Sequence, residues 1–246
     1  MMLSRPLSIG LTALAQVKGQ ICPWPYSASY TLLSHPPRRT LSTMLSPDVK
    51  RTLDFWFGPD QGRDQTPQIK WFQPEDPPAF DQECRHELGA LVSQARSGQL
   101  DHWTQEPAST IALVILLDQI PRNIFRQTAE SFSSDTQAFD ISTRAVAQGF
   151  DRQLPPLQAA FFYLPFEHQE NIVSQIACLA LLENLRDNRC EEGSPARTFA
   201  DRAVQAAVQH RDVILRFGRF PARNKALGRQ STAGEEAFLK EKPRGF

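Results

Sequence analysis

The sequence predicts an all-α body of about eight helices, and three features predict it. Apolar residues recur at steps of three and four, the spacing that lines one face of a helix. Ser, Thr or Pro stands where these stripes begin and Gly where several end, which matches the chemistry of helix caps. No stretch of useful length alternates with period two, so strands are not expected.

In order, Ser46 caps a helix with Pro47 at its first position, a buried stripe of Leu53, Trp56 and Phe57, and Gly58 after its end. A turn-rich stretch from Pro59 to Pro78 carries Trp71-Phe72. The next helix spans about Pro78 to Arg96 on Phe80, Cys84, Leu88, Leu91 and Ala95, and Gly98 closes it. Pro107 opens a third through Leu117. Its apolar run from Ile111 resembles a strand, but no turn residues bound it and Ala112 favours helix. Helices follow at about 134–148, 155–163 and 168–187, the last with Ile172, Ile176, Leu179 and Leu182 on one face. Ser194-Pro195 starts a long one reaching Arg216, and Thr232-Ala233-Gly234-Glu235 forms a capping box before a final short helix. Short loops imply antiparallel neighbours within a single helical domain over residues 44–246.

Composition narrows the function. Of 246 residues, 41% are hydrophobic and 22% charged, the balance of a soluble globular protein. The aliphatic run Ile111 to Leu117 stops at Asp118, far short of the ~20 residues of a bilayer span, so no membrane partner is expected. Formal charge is zero but unevenly placed. Residues 1–47 hold Arg5, Lys18, Arg38 and Arg39 and no acid, which leaves 23 of the 27 bases against all 27 acids downstream. An acidic body is a poor partner for nucleic acid, and none is expected. Cys22, Cys84, Cys178 and Cys190 form no C-x-x-C pair, and no N-x-S/T acceptor occurs, so the cysteine pattern favours a reducing compartment.

Residues 1–43 mix Ser, Thr, Pro and bases without acids. They resemble a mitochondrial transit peptide, with Arg39-Thr40-Leu41-Ser42 resembling a matrix-protease site; the alternative is a disordered leader. Localisation is therefore expected to be mitochondrial, or cytoplasmic for a form starting at Met44.

Standard catalytic and cofactor signatures are absent, so no cofactor is expected. Glu83-Cys84-Arg85-His86 has the E-x-x-H spacing of a di-iron helix but lacks a second copy. Polar residues instead concentrate in three aromatic-rich segments: 117–126, 161–170 and 216–229. Ile120-Pro121-Arg122-Asn123 echoes Phe220-Pro221-Ala222-Arg223-Asn224, each after a long helix and each followed by a further arginine, Arg126 or Arg229. Proline is expected to end each helix, leaving Arg and Asn to bond the freed carbonyls. Guanidinium forks suit carboxylate or phosphate. Arg122, Asn123, Arg126, Arg219, Arg223 and Asn224 are thus candidates for binding a small anionic ligand, with His168 and Glu167 as candidate acid/base residues. The competing reading pairs Arg122, Arg219 and Arg223 with Asp118, Asp151, Glu167 or Glu170 as helix locks. Trp56, Trp71, Phe72, Phe161 and Phe166 read as core.

Four motifs in order resemble one family: Leu53-Asp54-Phe55-Trp56-Phe57-Gly58; Leu117-Asp118-Gln119 with Pro121-Arg122-Asn123; Tyr163-Leu164-Pro165-Phe166-Glu167-His168; and Arg216-Phe217-Gly218-Arg219-Phe220-Pro221 with Arg223-Asn224. They are similar to domain-of-unknown-function family 924, over about residues 47–240. The resemblance implies one tetratricopeptide-like all-helical array and no established reaction. The chain has His168-Gln169-Glu170 where the family typically has His-Ser-Glu, so no serine hydroxyl serves there. Two function classes follow. One is a pocket for a small anionic ligand, with or without catalysis. The other is a tetratricopeptide-like protein-interaction module whose arginine network is structural.

Overall fold

Helix caps fix most element boundaries. In the computed structural model, residues 45–60, 67–68, 71, 74–243 and 245 are described. The expected leader, Cys22 and Phe72 lie outside them. Helix α1 (Pro47–Phe57) starts where Ser46 Oγ accepts from the Val49 amide, and α2 (Pro77–Arg96) where Asp76 accepts from Ala79. There follow α3 (Pro107–Val114), a wide π-helical turn (Ile115–Gln119) and α4 (Ile120–Ile124). Then come α5 (Asp135–Ala147), α6 (Pro156–Ala160), α7 (Leu164–Glu167) and α8 (Ile172–Arg189). Finally α9 (Pro195–Phe217) and α10 (Ala233–Glu241) close the chain, α10 with the expected capping box between Thr232 and Glu235. Among the described residues there is no strand, so the fold is all-α.

Three boundary expectations need correction. Pro121 does not end its helix; it sits in the first turn of α4, and the chain reaches it through the π-helical turn. That extra residue per turn makes room for a ring that would otherwise strike the preceding turn. The second long helix ends not at Pro221 but at Gly218, whose left-handed φ of 70° terminates α9 without a Cβ penalty. The helix expected at 168–187 begins instead at Ile172, where Asn171 accepts from the Val173 and Ser174 amides. The shorter α7 precedes it.

The run from Ile111 to Leu117 is wholly buried, which explains why its apolar residues show no single face. α1, α2 and α5 pack around this segment, and α8 and α9 form a long neighbouring pair. Trp56 stacks on Trp71 at 5.9 Å, Phe161 meets Trp71 edge-on at 4.8 Å, and the Trp71 indole donates to the Trp56 carbonyl. Trp56, Trp71, Phe161 and Phe166 are buried as expected. Among the described residues no helix is long and apolar enough to cross a membrane.

Candidate functional site

A buried charge cluster forms where the π-helical turn, the starts of α4 and α5, the end of α7 and the Pro221–Arg223 turn meet. Asp118 is the hub. Its side chain is fully buried, and Oδ1 lies 2.7 Å from His168 Nδ1 and 3.2 Å from Arg122 Nη2, while Gln119 Nε2 donates to Oδ2. Burial opposes ionisation of Asp118, but His168 and Arg122 overcome it and hold the carboxyl far below the usual carboxylate range. Arg122 Nη2 also donates to Asp135 Oδ1 at 2.8 Å. Asp135 stands in the first turn of α5, where a negative charge suits the helix N-terminus. Arg223 completes the cluster: Nη1 donates to Asp135 Oδ2 at 3.2 Å and Nη2 to the His168 carbonyl at 2.9 Å. Its guanidinium lies 4.7 Å over both Phe132 and Phe220. Burial, then the neighbouring Arg122, pushes Arg223 down to about 10, so it stays charged at neutral pH.

His168 is therefore oriented rather than simply packed. An ionised carboxylate only accepts, so the proton on His168 sits at Nδ1 and Nε2 carries the lone pair. Nε2 has no hydrogen-bond partner among the described residues, whose contacts to this ring are through Nδ1 alone. Burial, then Arg122, lowers the imidazole's affinity for a proton against the pull of Asp118, so the ring is neutral at pH 7. A neutral imidazole fixed by a buried carboxylate, with its second nitrogen unengaged, is competent as a general base.

Glu167 lies beside this cluster but belongs to a different surface. It is 5% exposed, and Oε1 has no hydrogen-bond partner among the described residues. The closest imidazole, His210 Nδ1, is 3.4 Å away and donates to the Ala206 carbonyl at 2.8 Å instead. Burial, with Asp118 adding and Arg122 opposing, pushes Glu167 up to about 8. Burial pulls His210 down to about 3, so both groups are mainly uncharged at neutral pH. The carboxylate bonded to His168 is Asp118, not the neighbouring Glu167 or Glu170. Glu170 accepts from Arg229 at 2.6 and 2.8 Å and from the Phe220 amide, and Arg229 holds it below its ordinary value despite burial.

The other sequence candidates are placed elsewhere. Arg126 grips Asp81 of α2 through two bonds of 2.7 and 2.6 Å and also donates to Asn123 Oδ1. Asn123 donates to the Gln119 carbonyl. Arg219 grips Glu235 of α10 at 2.7 and 2.8 Å, and Asn224 donates to Ser231 Oγ and Glu235. Arg219 thus does not join Arg122, Arg223 and His168, because Gly218 turns the chain before it and α10 claims its guanidinium. The sequence reading named Asp118 only as a helix-lock partner for the arginines, and it did not name Asp135. The signal for Asp118 was present: it is the first acid to interrupt a buried aliphatic run, and such an acid needs a partner. Asp135 looked like an ordinary first-turn acid. Glu83 and His86 are exposed on α2, and among the described residues no group of His, Cys, Asp and Glu could hold a metal ion.

Residues 52–243 match the model of a family described as "Bacterial protein of unknown function (DUF924)". The solved structure of a protein of unknown function from Agrobacterium tumefaciens is 34% identical, with a TM-score of 0.63, and the match covers 78% of this chain and 97% of that one. No significant match was found among curated proteins. With most of its length under one family model, the chain belongs to the DUF924 family.

Proposed function

We propose that the chain binds a small anionic ligand at the face made by Arg122, Arg223 and His168, with His168 as general base towards the bound molecule. The observation that carries this is the Asp118–His168 pair, in which His168 Nε2 has no hydrogen-bond partner among the described residues, beside two guanidinium groups. Arg122 supports it further. The guanidinium gives one nitrogen, Nη2, to both aspartates, and its Nε has no acceptor. Asp118 and Asp135 balance the two arginine charges in the free protein, so a ligand is drawn by unfilled donors rather than by excess charge.

The experiment is a thermal-shift panel of inorganic phosphate and small carboxylates on the wild type, Arg223→Lys, and Arg219→Ala as a control outside the cluster. One anion is expected to stabilise the wild type, by about 2.7 kcal/mol at a hundredfold excess over its dissociation constant. Arg223→Lys, which keeps charge but loses the fork, is expected to lose that response, while Arg219→Ala keeps it. No response from the wild type, or an equal response from Arg223→Lys, overturns the proposal.

The rival reading, a tetratricopeptide-like interaction module, draws on Val173 and Ile176. They lie three residues apart on α8 and are 70% and 56% exposed. Mitochondrial import, with cleavage near Leu41-Ser42, rests on leader composition alone, since the family is described as bacterial and its match begins at residue 52. N-terminal sequencing of protein from isolated mitochondria tests it: a new terminus at Leu41 to Thr43 supports import, whereas an intact Met1 or a cytosolic Met44 start opposes it.

A further inference from the structure

A cavity of about 630 Å³ is lined by residues of α7, α9 and residues 67–68, and none of Arg122, His168 and Arg223 is among its lining residues. Its walls include Leu164, Phe199, Ala203 and Ala206, its deep polar group is Glu167, and Arg202 is the cation among its lining residues. Phe199 to Ala206 are seven residues apart on one helix, so the apolar wall runs for ~10 Å. A buried carboxyl beside an apolar cavity is costly unless something bonds it. Here the protein supplies little. Among the described residues Glu167 Oε1 has no hydrogen-bond partner, and His210 Nδ1 donates to the Ala206 carbonyl.

The missing component is a cation with donor hydrogens. We propose that this cavity binds an apolar primary amine, with its ammonium against Glu167 and its body along Phe199, Ala203 and Ala206. A carboxylate ligand is disfavoured. It would bring a second acid against Glu167 with Asp118 close behind, and Arg202 is solvent-exposed and lies one helical turn before Ala206. The charged and titratable groups around Glu167 are Asp118, which opposes its ionisation, Arg122, which favours it, the neutral His210, and the Cys178 thiol, which burial keeps protonated. None of these supplies a cation in hydrogen-bond contact. An incoming ammonium displaces the Glu167 proton and forms an ion pair in surroundings that exclude water, while apolar burial holds the rest of the molecule. This site is independent of the anion site proposed above, because it uses neither Arg223 nor the imidazole of His168.

The test is calorimetric titration of the full chain with n-octylamine, n-octanol and n-octanoate. The amine is expected to bind at least tenfold more tightly than the alcohol, and octanoate more weakly than either. Glu167→Gln, which keeps the shape of the protonated carboxyl, is expected to reduce the amine to the level of the alcohol. Ala206→Leu, which fills the deep end, is expected to abolish binding of both. Should Glu167→Gln fail to fold, the wild-type pH profile decides: amine affinity rises from pH 6 to 8 as Glu167 gives up its proton more readily, and alcohol affinity does not. The inference is overturned if no probe binds, if alcohol or octanoate equals the amine, if Glu167→Gln binds amine like the wild type, or if the amine profile is flat.

Discussion

Glu167 and Asp118 are two buried carboxyls that the fold pushes in opposite directions, and each has its own signature. Folded Glu167 holds its proton up to about 8, whereas the unfolded chain releases it near 4.5. Between those values folding takes up a proton, so rising pH weakens the fold. His168 and His210 act the opposite way, since both are neutral in the fold and protonated below 6.5 in the unfolded chain. Their contribution is lost as pH falls. From pH 6.5 to 8 the loss at Glu167 outweighs the last of the histidine gain, and stability is expected to fall by about 1 kcal/mol. Urea unfolding at pH 6.5 and 8 measures this, and Glu167→Gln is expected to flatten the profile. An unchanged slope in that variant contradicts the assignment. Asp118→Asn removes a charge that Arg122 and His168 both face, and a loss of about 3–5 kcal/mol is expected. At this scale the sequence was only partly legible. The Arg-Asn echo named Arg122 and Arg223, and the fold brings both to Asp135. It misplaced Arg219, whose partner Glu235 comes from a helix whose docking no local pattern encodes.

The π-helical turn shows how one element positions the site. Pro121 has no N–H, so the carbonyl one standard turn earlier, Leu117, has no partner from that residue. Ser134 fills the gap, its Oγ donating to the Leu117 carbonyl at 2.6 Å, and in doing so ties the start of α5 to the turn that carries Asp118. This one bond sets Asp135 beside Arg122. Ser134→Ala removes this buried hydrogen bond and is expected to cost about 1 kcal/mol in a denaturant melt. It is also expected to weaken whatever anion the wild type binds. A variant as stable as the wild type contradicts this role. Helix identity and most caps were readable, since Ser46, Ser194 and Thr232 each accept from the amide three residues on. The wide turn was not, because it depends on packing around a segment buried on every side, where periodicity carries no signal.

For the whole molecule, the family match begins at residue 52, and the Agrobacterium tumefaciens relative is covered almost end to end by a match that takes in only 78% of this chain. A truncated form starting at Met44 is therefore expected to fold cooperatively, with a melting temperature within about 2 °C of the full chain. Loss of the cooperative transition contradicts a self-sufficient body. The polar cluster draws on residues as far apart in sequence as Asp118 and Arg223, and only the assembled fold gives His168 a fixed carboxylate on one nitrogen and, among the described residues, no hydrogen-bond partner on the other. The most direct measurement of that claim is a nitrogen-15 NMR titration of protein labelled at its histidines. His168 is expected to be neutral at pH 7, protonated at Nδ1, to resist protonation until below pH 6.5, and to be the histidine that shifts most when an anion from the panel binds. A ring protonated at Nε2, an imidazolium at pH 7, or a resonance indifferent to every anion would contradict it.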